Sequence, residues 1–164
     1  MKKFVTLILG FVILFSVAAC DSGDAELKKA QETVSSFVTA VKNTDQPAIR
    51  ELVASAIVVQ LGEEVPEEEV DPAYTAIYDK FDLVYDSGEI PKNATEATLK
   101  YKSKWPQLDE ETFYDLITDD GTDPVAKLEG VDIVEIPVDV ELVKEGDDWK
   151  ILNIDEIMSS GIWW

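Results

Sequence analysis

The chain has 164 residues, 46% of them hydrophobic, which is enough for one domain with a core and argues against intrinsic disorder. It carries 34 acidic and 14 basic residues, and the resulting formal charge of −20 disfavours binding to nucleic acid or to anionic lipid headgroups. The sequence contains no histidine and a single cysteine, Cys20, which excludes an internal disulfide and any catalysis that needs an imidazole.

The first segment predicts export from the cytoplasm. Lys2 and Lys3 precede an uncharged, mostly apolar run from Phe4 to Ala19, which is the layout of a secretory signal peptide. As a helix this run reaches about 24 Å, less than the roughly 30 Å hydrocarbon core of a bilayer, so a transmembrane anchor is the weaker interpretation.

Val17-Ala18-Ala19-Cys20 resembles the lipobox of bacterial lipoproteins. The resemblance implies that the Cys20 thiol receives a diacylglyceryl group, whose acyl chains include palmitate, and that residues 1–19 are cleaved. The lipid would hold the mature chain on the extracytoplasmic face of the cell membrane, since two acyl chains anchor firmly where one does not. Removing Lys2 and Lys3 leaves 12 basic residues against 34 acidic ones, a formal charge of −22. An ordinary signal peptide followed by an inert, buried cysteine is the alternative.

The mature chain is predicted to consist of a short lipidated tether, residues 20–23, and one domain, residues 24–164. Three helices open the domain. The first starts near Asp24, and its apolar residues recur at helical spacing: Leu27, Ala30, Val34, Phe37, Val38 and Val41. Asp45 is the predicted N-cap of a second, continuous helix that ends near Gly62. The acidic linker 63–71 follows, and Pro72 opens a third helix.

Alternating apolar residues then predict strands. These lie around Leu83 and Tyr85, over residues 95–102, from Val134 to Leu142, and in the final "WKILNI" after the turn "KEGDD". Pro137 places the long strand at an edge or a bulge. A short helix from Asp109 to Ile117 interrupts the strands, and residues 155–160 form a last helical turn.

Helices followed by antiparallel strands predict the α+β class. The stretches "AVKNTDQPAIREL" and "VDVELVKEGDDWKI" resemble the nuclear transport factor 2-like superfamily, as it occurs in small Gram-positive lipoproteins of unassigned function. The resemblance implies that the N-terminal helices pack in the hollow of a curved, mostly antiparallel sheet and form a cone. The segment from Pro106 to Gly130 is longer than the family pattern.

We predict no enzymatic activity, no cofactor and no metal. Family members that are enzymes use a His–Asp pair, which this chain lacks, or an Asp base with a Tyr donor. The segments "EEVPEEEVD" and "DLITDDGTDP" are acidic, but an EF-hand loop with Gly121 at position six would put Leu116 and Lys127 at the outer ligand positions. Both segments are therefore interpreted as solvated acidic stretches.

Several aromatic side chains are candidates for a ligand or partner surface: Tyr74, Tyr78, Phe81, Tyr101, Trp105, Trp163 and Trp164. Core packing is the competing explanation for the first five. The tail that contains Trp163 and Trp164 either folds back onto the sheet, contacts the membrane interface or docks on a partner.

These observations favour a protein or peptide interaction module of the cell envelope. The alternative is a small-ligand pocket protein, and an enzyme that uses an Asp/Tyr pair ranks third. An open apolar cavity would favour the ligand, an exposed groove or edge strand would favour a protein partner, and a buried carboxylate beside a tyrosine would favour catalysis.

Overall fold

The computed structural model describes residues 22–63, 66, 70–118 and 121–160, so Cys20, Trp163 and Trp164 lie outside the described residues. The helices before the sheet are α1 (Ser22–Lys42), α2 (Gln46–Leu52), α3 (Ser55–Val58), which continues into a 3₁₀ turn (Val59–Leu61), and α4 (Pro72–Lys80). The later elements are β1 (Asp82–Ser87), β2 (Glu96–Pro106), α5 (Glu110–Ile117), α6 (Pro124–Lys127), β3 (Ile133–Glu145), β4 (Asp148–Ile151) and α7 (Ile154–Ser159).

The strands of the described residues form one antiparallel sheet in the order β1-β2-β3-β4. Helices followed by an antiparallel sheet confirm the predicted α+β class. Alternation along β2 buries Leu99, Tyr101, Ser103 and Trp105 on the face that the helices cover. The lysines between them lie on the opposite, outer face.

The outer face of the sheet is polar and carries charges of both signs. Lys100 lies 3.5 Å from Asp139, and Glu135 lies 3.7 Å from Lys102 and 3.2 Å from Lys104. Such exposed pairs contribute little stability, about 0–1 kcal/mol each. The core is therefore confined to the other face, between the sheet and α1.

Aspartates that precede the helices fix where those helices begin. The Asp45 carboxylate accepts a hydrogen bond from the Ala48 N–H at 3.1 Å, which confirms the predicted N-cap of α2. Asp71 accepts from Ala73 N–H at 2.8 Å, ahead of Pro72, and confirms the predicted start of α4. α1 begins at Ser22, two residues before the predicted start.

The prediction of one continuous second helix up to Gly62 was wrong. The helix ends at Leu52 because Val53 is extended and forms a parallel bridge with Ile151 of β4. The next N–H, on Ala54, donates to the Ile151 carbonyl at 2.8 Å. The chain re-enters helix at Ser55, where the Glu145 carboxylate accepts from both the Ser55 N–H (2.9 Å) and the Ser55 hydroxyl (2.7 Å).

The β3–β4 hairpin forms one side of the sheet and contacts the first helix, α1. The Glu26 carboxylate of α1 accepts hydrogen bonds from Lys144 Nζ at 2.8 Å and from Trp149 Nε1 at 3.0 Å. The two donors lower the pKa of Glu26, Lys144 more than Trp149. These contacts fix the N-terminal part of α1 on the hairpin.

Because β4 pairs only with Leu142–Glu145, the earlier part of β3 is an edge, and Pro137 lies there as predicted. Asn153 covers the end of this edge that lies next to β4: it accepts from the Glu141 N–H at 2.9 Å and donates to the Asp139 carbonyl at 2.8 Å. α7 follows directly and buries Ile154 and Ile157.

Candidate functional site

A partly open groove of about 490 Å³ lies between α1 and the first two strands. Its volume falls within the range of about 300–1,000 Å³ that small-molecule sites occupy. Its apolar floor is formed by Val34 and Val38 of α1 and by Leu83 and Tyr101 of the sheet, each less than 9% exposed. The groove therefore combines a buried apolar floor with a rim that reaches solvent.

The helical wall of the groove is polar. Gln31, Ser35, Thr39 and Lys42 follow each other at intervals of three or four residues, so they lie along one side of α1. Ser35 and Thr39 are exposed, and the Thr39 hydroxyl donates to the Ser35 carbonyl at 3.0 Å. This stripe borders the apolar face of the helix and gives the rim hydrogen-bonding groups.

The strand wall is aromatic. Tyr85 and Tyr101 are direct cross-strand partners, and their rings meet edge to face with centroids 5.5 Å apart. The Tyr85 hydroxyl donates to the Gly88 carbonyl at 2.8 Å. A Cβ at position 88 would lie 2.7 Å from Leu99 Cδ2, and φ there is +147°, so only glycine allows the chain to pass this close.

The Tyr101 hydroxyl is buried and has no hydrogen-bond partner in the part of the chain that the structure describes. Burial raises the pKa of this phenol, and the neighbouring Tyr85 raises it further. Leaving a buried polar group unpaired costs about 1–3 kcal/mol. Trp105 Nε1, on the same face of β2, is also unpaired among the described residues.

The structure separates the aromatic residues that the sequence analysis grouped as one candidate surface. Phe81 and Trp105 are fully buried and pack together with ring centroids 4.5 Å apart. Tyr74 and Tyr78 lie on α4, where Tyr74 is 42% exposed and the two centroids are 6.3 Å apart. Tyr101 alone among these described aromatics lines the groove.

Asp82 and Tyr101 line the same groove, which is the pairing that an Asp/Tyr enzyme would use. The carboxylate of Asp82 is only half-buried, however, and it accepts a hydrogen bond from the Leu83 N–H at 2.9 Å. It is therefore not the desolvated base that such chemistry favours.

The groove residues on α1 and β1 were not among the candidates proposed from the sequence. One signal could have indicated them: the small polar side chains that follow one another beside the apolar face of the first helix. Such a stripe marks a helix side that lies between the buried apolar face and open solvent. Which strand lies opposite it depends on the tertiary fold.

Metal ligands do not gather in the described part of the chain, where no group of three Cys, Asp or Glu side chains is placed to hold an ion. Much of "EEVPEEEVD" and two aspartates of "DLITDDGTDP" lie outside that part. Among the residues that the structure describes, no helix is both long and apolar enough to cross a bilayer.

Comparison with models of protein families, with curated proteins and with solved structures gave no match for this chain.

Proposed function

We propose that this chain is a lipid-anchored extracytoplasmic lipoprotein whose single domain binds a protein or peptide of the cell envelope in the α1–β1 groove. The observation that carries the binding role is the groove itself, which is bounded by a helix on one side and by the outermost strand of the sheet on the other. Grooves of this construction accept extended peptides.

The lipid anchor is supported by the sequence Val17-Ala18-Ala19-Cys20 and by the basic and apolar segments before it. Metabolic labelling with an alkyne fatty acid, in a bacterium that processes lipoproteins, tests the anchor. We expect labelled wild-type protein in the membrane fraction and unlabelled Cys20→Ala protein outside it. A Ser22→Ala variant is the matched control and should label like the wild type. Equal labelling of Cys20→Ala would overturn the anchor.

We further propose that the domain is a nuclear transport factor 2-like cone. Two features support it: α1 packs on the buried face of an antiparallel sheet, and the segment after α2 joins the last strand through the parallel Val53–Ile151 bridge. Nuclear Overhauser contacts between Val53 and Ile151 and between Val34 and Tyr101 are expected in solution. A helix α1 without contacts to the sheet would contradict the cone.

A photo-crosslinking amino acid at position 35, on the exposed wall of the groove, tests the partner. In intact cells we expect a discrete crosslinked product from this position, and no such product from position 141 on the outer face of β3. A Thr39→Trp substitution should fill the groove and abolish the product. Crosslinks that are equal at both positions, or that persist in the Thr39→Trp background, would contradict binding in the groove.

A small ligand is the second candidate, and the unpaired Tyr101 hydroxyl favours it. A molecule with an apolar body and a hydrogen-bond acceptor would match the floor of the groove and satisfy this donor. Native mass spectrometry of protein purified from cells should then show a bound small molecule that Tyr101→Phe loses. An enzyme that uses Asp82 and Tyr101 remains the third candidate, because Asp82 is not buried.

A further inference from the structure

We propose that the occupant of the groove is an extended, basic peptide segment that joins β1 as an additional strand. This inference rests on the proposed function and names the mode of binding and the chemistry of the partner. Three features of the described residues carry it: the edge of β1, the direction of its side chains and the charge of the chain.

The first feature is that β1 is the outermost strand and pairs only with β2 among the described residues. The opposite side of the sheet differs: the Asn153 side chain bonds to Asp139 and Glu141, beyond the residues of β3 that pair with β4, and Val53 and Ala54 pair with Ile151 of β4. Proline or lysine protects many natural edge strands, and β1, "DLVYDS", contains neither. A register irregularity between Tyr85 and Ser87 limits the regular edge to Asp82–Tyr85.

The second feature is that the open edge lies beside the groove. Leu83 and Tyr85 point their side chains into the groove, while Val84 between them is exposed on the outer face. A strand added to β1 would continue this alternation. Every second side chain of the added segment would then enter the groove and contact the stripe that includes Ser35 and Thr39.

The third feature is charge. The formal charge, −20 for the whole sequence and −22 without Lys2 and Lys3, steers basic partners toward the protein and opposes the approach of a second copy of the same chain. Asp82 is placed to recognise such a partner, since it is half-exposed and is, among the described residues, the one acidic residue that lines the groove, whose other charged residue is Lys42. This carboxylate now accepts from the Leu83 N–H. A lysine or arginine of the peptide can form an ion pair with the Asp82 carboxylate instead. The Leu83 N–H is then free to donate a hydrogen bond to the added strand.

The test uses the full chain, purified from membranes in a neutral detergent, and a fluorescent peptide of about eight residues in which valine and lysine alternate. Fluorescence anisotropy should detect binding that weakens at least tenfold when salt rises from about 0.05 M to about 0.5 M. A glutamate–valine counterpart should bind at least tenfold more weakly. A version with proline at alternate positions should lose binding, because it lacks the N–H groups that pair with an edge.

Two variants with the same change in net charge separate a local effect from a general one. Val84→Lys places a lysine on the free edge, and Ile133→Lys places one at the start of β3; the wild-type side chains are 39% and 45% exposed. We expect Val84→Lys to weaken peptide binding at least fivefold and Ile133→Lys to change it less than twofold. Equal effects would overturn binding at the edge.

Amide hydrogen exchange with bound peptide gives the most direct readout. Protection of the Leu83 and Tyr85 amides would support strand addition. Binding of the proline peptide with equal affinity, or binding without that protection, would overturn it. If position 35 still crosslinks an envelope protein when strand addition fails, the proposed function stands and only this inference falls. A dimer in sedimentation that buries β1 would assign the edge to a second copy and would also overturn the inference.

Discussion

On the β3 side of the sheet, the Asn153 side chain bonds to Asp139 and Glu141, beyond the strand residues that pair with β4, whereas β1 on the opposite side has no such neighbour among the described residues. The covered side also holds the contacts of α1 with the hairpin through Glu26. The open side holds the groove and an unpaired buried hydroxyl. In the part of the chain that the structure describes, only the open side thus has an unpaired buried group among its groove residues, the Tyr101 hydroxyl.

The difference in hydrogen bonding is informative because it also separates two residues of the same type. Trp149, on the covered side, donates its indole N–H to Glu26 at 3.0 Å, whereas the indole N–H of Trp105 has no partner among the described residues. Buried polar groups in native proteins are nearly always paired, and of the two unpaired donors among the described residues only Tyr101 lines the groove, so the Tyr101 hydroxyl is the one that a bound molecule could satisfy.

The largest effect on stability is expected from Asn153→Ala, on the covered side of the sheet. The substitution removes the two exposed hydrogen bonds to the Glu141 N–H and the Asp139 carbonyl, each contributing about 0.5–1.5 kcal/mol, so we expect a loss of about 1–3 kcal/mol in the free energy of unfolding. Urea denaturation measures it, and hydrogen exchange of the Glu141 amide should accelerate. Ser87→Ala, at the end of the open edge, is the control and should stay within about 0.5 kcal/mol of wild type. An Asn153→Ala variant as stable as the control would show that the edge needs no cover.

Smaller changes in the free energy of unfolding are expected in the groove. They have opposite signs for the neighbouring residues Tyr85 and Tyr101. Tyr101→Phe removes a buried hydroxyl that has no partner among the described residues, so the variant should be about 1 kcal/mol more stable than wild type. Tyr85→Phe removes a hydroxyl that donates to the Gly88 carbonyl, and should be about 1 kcal/mol less stable. Both are measured by urea denaturation. Destabilisation by Tyr101→Phe would mean that its hydroxyl has a partner in the folded protein.

The sequence predicts much of the local structure and little of this asymmetry. Asp45 and Pro72 mark helix starts because capping depends on residues within one turn, and the alternation in β2 places Tyr101 on the buried face. The break at Val53 could not be predicted, since its cause is a pairing with Ile151, far along the chain. The groove was missed for the same reason: Ser35 and Leu83 form its walls only once α1 lies across the sheet.

The stability that Glu26 contributes on the covered side should depend on pH. Because the pKa of Glu26 is lowered below its ordinary value of 4.5, chiefly by the Lys144 ammonium, the ionised form is favoured by folding. Its contribution is complete above pH 4.5 and is lost as the pH falls through the lowered folded-state pKa. Glu26→Gln should therefore unfold at a lower urea concentration than wild type at pH 7, and the difference should shrink as the pH falls below 4.5.

Glu141→Gln, an exposed position on the outer face of β3, is the matched control for this titration. It removes the same charge from a site that lies away from α1, so it should show no comparable loss at pH 7. A difference between Glu26→Gln and wild type that stays constant into strongly acidic solution would contradict the assignment to the Glu26 charge. The alternative outcome is that the stability difference between Glu26→Gln and wild type vanishes as the pH falls, while peptide binding at β1 is the same in both proteins. In that case the Glu26 contacts on the β3 side fix α1 in place, and the β1 side serves binding.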